Sequence, residues 1–213
     1  MIAIDGPAGS GKSTIARHVA EALGLRYLDT GAMYRSVAFA ALRRGIDPTD
    51  VEPVAHVARE VELRLDEDGT VRVDGEDATI EIRGPEVTRA VSAVAANPAV
   101  RVELAARQRE WAARHDGGVV EGRDIGTVVF PEAPLKVYLD AAPAVRAERR
   151  SNEVKDLSYE TVADDLARRD AYDSAREHSP LRTAADAVVI DTSDRSVDDI
   201  VAAVIDQWER AHD

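Results

Sequence analysis

The sequence of 213 residues contains no cysteine. This absence excludes a disulfide framework, thiolate catalysis and a zinc site built from cysteines, and it fits a reducing compartment. Long apolar runs are also absent, since no stretch approaches the roughly 20 apolar residues of a membrane helix. The N-terminus, MIAID, has no basic and apolar leader. We therefore expect a cytoplasmic protein that is neither exported nor inserted into a membrane.

Basic side chains are in the minority. Lys and Arg number 27 against 40 Asp and Glu, which gives a formal net charge of −13. A field of this sign repels polyanions, so neither nucleic acid nor an anionic membrane is an expected partner. The five histidines form no cluster that would indicate a metal site or nucleophilic catalysis.

Short apolar runs alternate with amphipathic stretches along most of the chain. Strands are predicted at residues 2–4, 27–28, 118–120, 135–139 and 187–190. Helices are predicted at residues 13–23, 33–44, 97–114, 144–150, 159–175 and 197–212. This order is typical of an α/β fold in which a five-stranded parallel sheet lies between layers of crossover helices.

One stretch departs from the alternation of strands and helices. Residues 61–83 read VELRL, DEDG, TVRVDGED and ATIEIR, in which apolar and polar residues alternate between turn signals. The pattern predicts a small antiparallel sheet, and residues 57–95 are predicted to form an inserted lobe. The core is then predicted to comprise residues 1–56 and 96–213. A decorated loop is the alternative interpretation.

The sharpest motif is GPAGSGKS at residues 6–13, a complete G-x-x-x-x-G-K-[ST] between an apolar strand and an amphipathic helix. It predicts a P-loop NTPase-type core, in which inward N–H groups and a helix N-terminus surround phosphate. Lys12 is predicted to reach the β- and γ-phosphates, and Ser13 to bind Mg²⁺. The residues predicted to bind ATP are Gly6, Pro7, Ala8, Gly9, Ser10, Gly11, Lys12, Ser13 and Thr14.

A P-loop does not identify the acceptor, because GTPases, motor ATPases and small-molecule kinases share it. The sequence contains no [N/T]KxD tetrapeptide of the kind that reads guanine, which weakens a switch GTPase. No strand ends in an aspartate that certainly serves Mg²⁺. Asp5, beside the loop, and Asp140, after a predicted strand, are each either magnesium-side carboxylates or turn caps.

Arginine clusters are unusual in so acidic a chain. They comprise Arg35, Arg123, the run Arg146, Arg149 and Arg150, the pair Arg168 and Arg169, and Arg176. ATP and a nucleoside monophosphate together bring about six negative charges into one cleft, and placed guanidinium groups offset that repulsion. Taken singly, each arginine is more often a solvated helix residue than a ligand.

Consecutive motifs resemble those of bacterial cytidylate kinases from residue 2 to about residue 192. They are IAIDGPAGSGKST, LDTGAMYR, EIRGPEV with VSAVAANPAVR, EGRDIGTVVFPEAPLKVYLDA, RAERR and RRDAYDSAREHSPL. The resemblance implies a monomeric enzyme that transfers a phosphoryl group from ATP, with Mg²⁺, to CMP or dCMP. It also implies a nucleoside monophosphate (NMP)-binding region that carries the insertion, and a short arginine-bearing helical lid at about residues 146–157.

The resemblance further implies roles for the residues at matching positions. The implied catalytic set is Lys12, Arg123, Arg149 and Arg176. Arg35, Arg123 and Arg176 would bind the CMP phosphate, and Arg149, with Arg150 nearby, would contact the transferring phosphoryl group. Base recognition would fall to Ser92, Arg101 and Asp124, and ribose contacts to Thr30, Arg169 and Asp173.

The chemistry of these side chains supports several of the roles independently. A carboxylate at Asp124 accepts a hydrogen bond from the N4 amino group of cytosine, whereas uracil presents an acceptor there and would leave polar groups unpaired. The alternatives for Asp124 are a helix N-cap or an ion pair with Arg123. Arg101 offers donors to cytosine O2 or N3. Asp173 can accept from ribose hydroxyls or pair with Arg169 four residues earlier.

These features predict direct in-line transfer, in which a CMP phosphate oxygen attacks the γ-phosphorus of ATP. No general base is needed, because that oxygen is already ionised near pH 7. One alternative is another small P-loop kinase acting on shikimate, dephospho-coenzyme A or a different monophosphate; the inserted sheet and the base-reading trio argue against it. The other alternative, a nucleotide-dependent switch protein, would have no use for a second arginine-lined pocket.

Overall fold

Strands and helices alternate through most of the chain in the computed structural model, which describes residues 1–66, 68–153 and 157–211. The strands are β1 (Ile2–Asp5), β2 (Tyr27–Asp29), β3 (Leu63–Leu65), β4 (Val71–Val73), β5 (Glu76–Asp77), β6 (Val119–Gly122), β7 (Leu135–Asp140) and β8 (Val188–Asp191). The helices are α1 (Lys12–Leu23), α2 (Thr30–Arg43), α3 (Val51–Glu60), α4 (Pro85–Ala96), α5 (Pro98–Arg114), α6 (Pro143–Glu153), α7 (Tyr159–Ser174) and α8 (Val197–Arg210).

The larger sheet has five strands in the order β2-β6-β1-β7-β8. β1 pairs in parallel with β6 and β7, and β7 pairs in parallel with β8. Every residue of the central strand β1 is buried, as expected of a strand covered on both faces. The predicted five-stranded parallel sheet is confirmed. Because parallel strands end at the same edge of a sheet, the register brings Asp5 opposite Gly122, at the ends of β1 and β6.

The main core packs α1 and α8 against this sheet. Ile4 of β1 and Val137 of β7 share one buried cluster with Ile15 of α1 and Ile200 of α8. Ile15 lies one helical turn before Val19, which belongs to the same cluster, so α1 buries a single face. The carboxyl ends of the strands and the first turn of α1 are therefore held in place by this packed core.

The smaller sheet is antiparallel and has three strands in the order β3-β4-β5. Its first two strands match the predicted VELRL and TVRV segments, but the prediction that ATIEIR continues the alternation is wrong. Residues Glu81–Arg83 form a 3₁₀ turn. The carboxylate of Asp77 accepts from the Thr79 N–H at 3.0 Å, a turn that ends β5. Ile80 is consequently 81% exposed while Ile82 is fully buried, although a strand would place both on one face.

Two helices, α3 and α4, were not predicted from the sequence pattern. α4 begins with Pro85 directly after Gly84, a favourable first helical position for proline. The backbone falls into two units, Met1–Tyr27 with Asp116–Asp213, and Leu28–His115. The predicted lobe at residues 57–95 lies within the second unit, and its separate status as an NMP-binding lobe stays a prediction.

Within the described ranges, no helix combines the length and the apolar character that a membrane span requires.

Candidate active site

The loop between β1 and α1 contains Gly6, Pro7, Ala8, Gly9, Ser10 and Gly11, and Lys12, Ser13 and Thr14 follow in the first turn of α1. Gly6 adopts φ +149°, and a Cβ there would lie 2.1 Å from the carbonyl oxygen of Leu139. No side chain fits at this point, so the loop lies directly against β7. Gly11 is the N-cap of α1 and offers no side chain to the first N–H groups of the helix. Those N–H groups suit an anion.

Two hydroxyl groups of the loop differ in their surroundings. Ser10 is fully buried, and its Oγ has no hydrogen-bond partner among the described residues. Ser13 is exposed in the first turn of α1. A buried orphan oxygen in a glycine-rich cradle and an exposed hydroxyl beside it fit a nucleotide triphosphate with its metal ion.

Lys12 occupies the cradle itself. It is 6% exposed, and its Nζ donates to the carbonyl oxygen of Pro7 at 2.7 Å. Burial lowers the pKa of Lys12 to about 7, and the nearby charge of Arg123 acts in the same direction. Three carboxylates oppose this lowering of the pKa: Glu121, Asp5 and Asp173. A phosphate bound in the loop would add negative charge and favour the protonated amine.

The arginines of α6 have different partners, although the sequence presents them as one cluster. Arg146 is buried; its Nε donates to the Ala141 carbonyl and its Nη1 to the Ala8 carbonyl, each at 3.1 Å. The same guanidinium forms an ion pair with Asp170 of α7. Arg146 therefore joins α6 to both the P-loop and α7.

Arg149 lies one helical turn further along α6. Its Nη1 donates to Thr192 Oγ1 at 2.9 Å and its Nη2 to the Thr192 carbonyl at 2.5 Å. The Thr192 hydroxyl in turn donates to the Ser10 carbonyl at 3.1 Å. Arg150, which is half-buried, pairs with Glu153. Arg149 is thus the α6 arginine linked to the P-loop through Thr192. Residues 154–156 of the predicted lid lie outside the described residues.

A buried cluster of opposite charges connects the end of β6 with α7. Arg123 Nε donates to Asp173 Oδ2 at 3.0 Å, and Arg176 pairs with the other oxygen of the same carboxylate. Burial raises the pKa of Asp173, but Arg123, Arg176 and Arg169 together hold it below its ordinary value. Burial and then the charge of Arg123 lower the pKa of Arg169 to about 10. Asp173 thus holds two guanidinium groups at fixed positions, and its hydrogen-bonded partners are Arg123 and Arg176.

Asp124 directly follows Arg123 and is buried at the start of a π-helical turn, Ile125–Val129. The N-cap alternative for Asp124 is wrong, because its side chain makes no capping hydrogen bond to this turn. Asp5 supplies the acceptors instead. Its two carboxylate oxygens accept from the N–H groups of Ile125 and Gly126, each at 2.8 Å. Sequence reasoning left Asp5 open as a metal-side carboxylate or a turn cap, and the hydrogen bonds identify the cap.

The remaining predicted residues belong to the second unit: Thr30 and Arg35 on α2, Ser92 on α4 and Arg101 on α5. Arg35 Nη1 donates to the Ile82 carbonyl at 3.1 Å and to Thr88 Oγ1 at 2.9 Å. Arg101 is buried; its Nη1 donates to the Ala95 carbonyl at 2.9 Å, and its Cζ lies 5.4 Å from the ring centroid of Tyr34.

Three of these four residues are brought together around α2, because Thr30 and Arg35 belong to it and Arg101 contacts its Tyr34. Thr30 is buried and Ser92 is half-buried. The roles of all four toward a nucleotide stay predictions.

The next question is which protein groups could bind Mg²⁺. Among residues 1–66, 68–153 and 157–211, no group of three or more histidines and carboxylates could hold a metal ion. Mg²⁺ commonly binds through one or two protein oxygens together with substrate phosphates and water. The exposed Ser13 hydroxyl at the phosphate cradle fits that arrangement.

Sequence reasoning missed three contacts that organise the site: the anchor that Asp5 provides for the turn, the ion pair of Arg146 with Asp170, and the link from Thr192 to Ser10. The available signal for Asp5 was its place at the end of a buried strand, directly before the P-loop. Thr192 follows the last predicted strand in the same way. In parallel sheets, such positions lie at the edge where ligands bind.

A family model described as cytidylate kinase matches residues 2–210 of this chain. The cytidylate kinase of Mycolicibacterium paratuberculosis is 54% identical over 201 residues, which cover 91% of this chain and 88% of the relative. The cytidylate kinase of Mycobacterium leprae is 49% identical over 210 residues, covering 97% and 94%. Among solved structures, a gluconokinase from Sinorhizobium meliloti matches with a TM-score of 0.51 at 17% identity, covering 99% and 93% of the chains. That likeness concerns the fold alone.

Proposed function

Because this chain belongs to the cytidylate kinase family, we propose that it transfers the γ-phosphoryl group of ATP to CMP and dCMP. One observation carries the proposal most directly. Within the first unit, the P-loop lysine and the arginine cluster are so close that Arg123 exerts the strongest charge effect on the pKa of Lys12, after burial. Cationic groups for two anions, ATP and a nucleoside monophosphate, would thus lie in one unit, which a kinase needs and a simple nucleotide switch does not.

The donor side is formed by the loop and the start of α1. Uncapped N–H groups, the Lys12 ammonium and the fixed backbone around Gly6 would hold the β- and γ-phosphates of ATP. Mg²⁺, bound by the phosphates and Ser13, would neutralise charge on the transferring group. Lys12 would reach its charged state on binding, because phosphate raises the pKa that burial has lowered to about 7.

The acceptor side would use the guanidinium groups of Arg123 and Arg176 for the phosphate of CMP, with Asp173 holding both in place. Asp124 would accept from the cytosine amino group. Arg169 and Asp173 would contact the ribose, and Thr30, Arg35, Ser92 and Arg101 are proposed as further contacts of the same nucleotide. An ionised phosphate oxygen attacks directly, so no side chain has to remove a proton.

Arg149 of α6 is the residue of the predicted lid that we expect to act in the transfer. Arg149 donates to Thr192, and the Thr192 hydroxyl donates to the Ser10 carbonyl, so a single residue connects Arg149 with the backbone of the P-loop. We propose that Arg149 moves from Thr192 to the transferring phosphoryl group when ATP and CMP are bound, where its charge stabilises the transition state. Arg146 would stay in place, because it is buried and bonded to the P-loop.

An ADP-release assay with ATP, Mg²⁺ and a panel of acceptors tests the function. The panel comprises CMP, dCMP, UMP, AMP, GMP and shikimate. We expect strong turnover with CMP and dCMP, and loss of this preference in Asp124→Ala. Equal or better turnover with another acceptor would contradict the cytidylate assignment and leave a P-loop kinase of different specificity. ADP release without any acceptor dependence would favour the nucleotide-switch alternative.

A further inference from the structure

Asp5 anchors the chain segment that carries Asp124. It is the last residue of β1, is 5% exposed, and lies opposite Gly122 in the register of β1 and β6. Each of its carboxylate oxygens accepts one backbone N–H, from Ile125 and Gly126, at 2.8 Å. These two N–H groups belong to the turn that begins immediately after Asp124.

The turn depends on this anchor because of its own geometry. In a helical turn the first N–H groups have no carbonyl partner within the turn, and the cap residue usually supplies one. Asp124 stands at the cap position but makes no capping hydrogen bond. The carboxylate of Asp5 therefore does what a cap side chain normally does.

Lys136 of β7 also packs against this turn. A Cβ added at Gly126 would lie 3.2 Å from Cγ and Cδ of Lys136 and 3.4 Å from Asp5 Oδ2. The turn is thus packed closely against both the Asp5 carboxylate and the Lys136 stem. A fixed turn gives the preceding residue a fixed direction.

We propose that Asp5 is a positioning residue for base recognition: by anchoring the turn at Ile125 and Gly126, it sets the Asp124 carboxylate that distinguishes cytosine from uracil. The inference rests on the proposed function, since it assigns a second residue to the CMP selectivity proposed for Asp124. It also makes the end of β1 serve both substrates, because the residue after Asp5 is the first glycine of the P-loop.

Asp5→Asn is the most informative substitution because it preserves the size of the side chain. An amide offers one oxygen acceptor and one NH₂ donor, so one of the two backbone N–H groups would face another donor. Losing a charge-assisted hydrogen bond and creating an unpaired donor would displace the turn. Asp124 would then lose its alignment with the cytosine amino group, while the P-loop sequence is unchanged.

The experiment measures kcat/KM for CMP and for UMP in the wild type, Asp5→Asn, Asp124→Ala and the double variant. We expect Asp5→Asn to lower the CMP to UMP ratio by roughly tenfold or more. The double variant should show no further fall in this ratio beyond Asp124→Ala. Asp191→Asn is the matched control: Asp191 ends β8, is exposed, and its carboxylate accepts from the Ser193 N–H at 2.8 Å. It should leave the ratio unchanged.

An Asp5→Asn protein that loses equal activity toward CMP and UMP would overturn the inference, because a purely structural role lowers both without changing their ratio. Unchanged kinetics would overturn it as well. A wild type without preference for CMP would instead refute the proposed function, so the two failures are distinguishable.

If Asp5→Asn does not fold, Gly126→Ala displaces the same turn while leaving the Asp5 carboxylate intact. Its Cβ would lie 3.2 Å from Cγ and Cδ of Lys136, whose ammonium group donates to Asp186 at 2.7 Å, so the crowding displaces the turn. We expect a reduced CMP to UMP ratio in this variant, and an unchanged ratio would overturn the inference.

Discussion

The buried cluster around Asp173 gives a quantitative test of the acceptor site. Asp173 is the shared partner of Arg123 and Arg176, and the side chains of Asp173 and Arg176 are each only 6% exposed. Asp173→Asn keeps the shape but removes the negative charge, which leaves the guanidinium groups of Arg123, Arg176 and Arg169 to repel one another. Removing one partner of a buried ion pair costs about 3–5 kcal/mol, because the remaining charge is buried without compensation.

Asparagine retains one acceptor oxygen, so the lower end of this range, about 3 kcal/mol, is expected for Asp173→Asn. For a chain of this size each kcal/mol lowers the thermal midpoint by about 2–4 °C, which predicts a decrease of about 6–12 °C. The assay is thermal unfolding followed by circular dichroism. Asp165→Asn on the same helix is the control, because Asp165 pairs with exposed Arg168 and such pairs contribute at most about 1 kcal/mol.

The pH dependence supplies a second check on the same substitution. The three arginines hold the pKa of Asp173 below its ordinary value of 3.8 despite burial. A carboxylate whose pKa is depressed by folding stabilises the protein fully above its unfolded pKa, and this stabilisation is lost as the pH falls through the folded pKa. The difference in unfolding free energy between wild type and variant should therefore stay constant at neutral pH and become smaller only below pH 3.8. A midpoint shift no larger than that of Asp165→Asn would refute the reasoning.

Two further predictions concern the P-loop. Lys12→Met should lower kcat by roughly 10²–10³ while leaving the thermal midpoint unchanged or higher, since a buried charge is removed; a variant with near wild-type kcat would contradict the role of Lys12. Gly6→Ala should prevent folding or nucleotide binding, because its Cβ would lie 2.1 Å from the Leu139 carbonyl oxygen. Gly24 also has a positive φ, but a Cβ there would meet no atom within 4 Å. Gly24→Ala should therefore lower the free energy of unfolding, measured by chemical denaturation, by only about 1 kcal/mol. Equal behaviour of the two alanine variants would contradict the steric argument.

Local sequence signals predicted most of the core. The five strands of the main sheet were located within two residues at each end, because short apolar runs between turn signals are typical of buried parallel strands. The alternation in ATIEIR was misleading, since an Asp77 turn redirects the chain before Ile80. α3 and α4 were missed although each has a buried apolar face, because their neighbourhood was interpreted as sheet.

For the candidate site as well, features formed by adjacent residues could be predicted from the sequence, whereas contacts between distant residues could not. The P-loop is a continuous motif whose function depends on adjacent residues, so its position followed from the sequence. The Asp5 anchor joins residues about 120 positions apart in the chain, and only the pairing of β1 with β6 brings them together. Likewise, the spacing of the α6 arginines could not show that Arg146 is buried against Ala8 whereas Arg150 is half-buried and pairs with Glu153.

The order of strands in the main sheet has a consequence for the synthesis of this protein. β1 is made first but lies in the centre, and its neighbours β6 and β7 begin only at Val119 and Leu135. The N-terminal strand therefore leaves the ribosome long before it can form a single backbone bond to its sheet. Until translation passes Leu139, whose carbonyl lies against Gly6, the P-loop lacks the contact with β7 that supports it in the folded protein. A growing chain must extend past Leu139 before ATP can stabilise it, and pairing between strands so far apart in sequence is intrinsically slow.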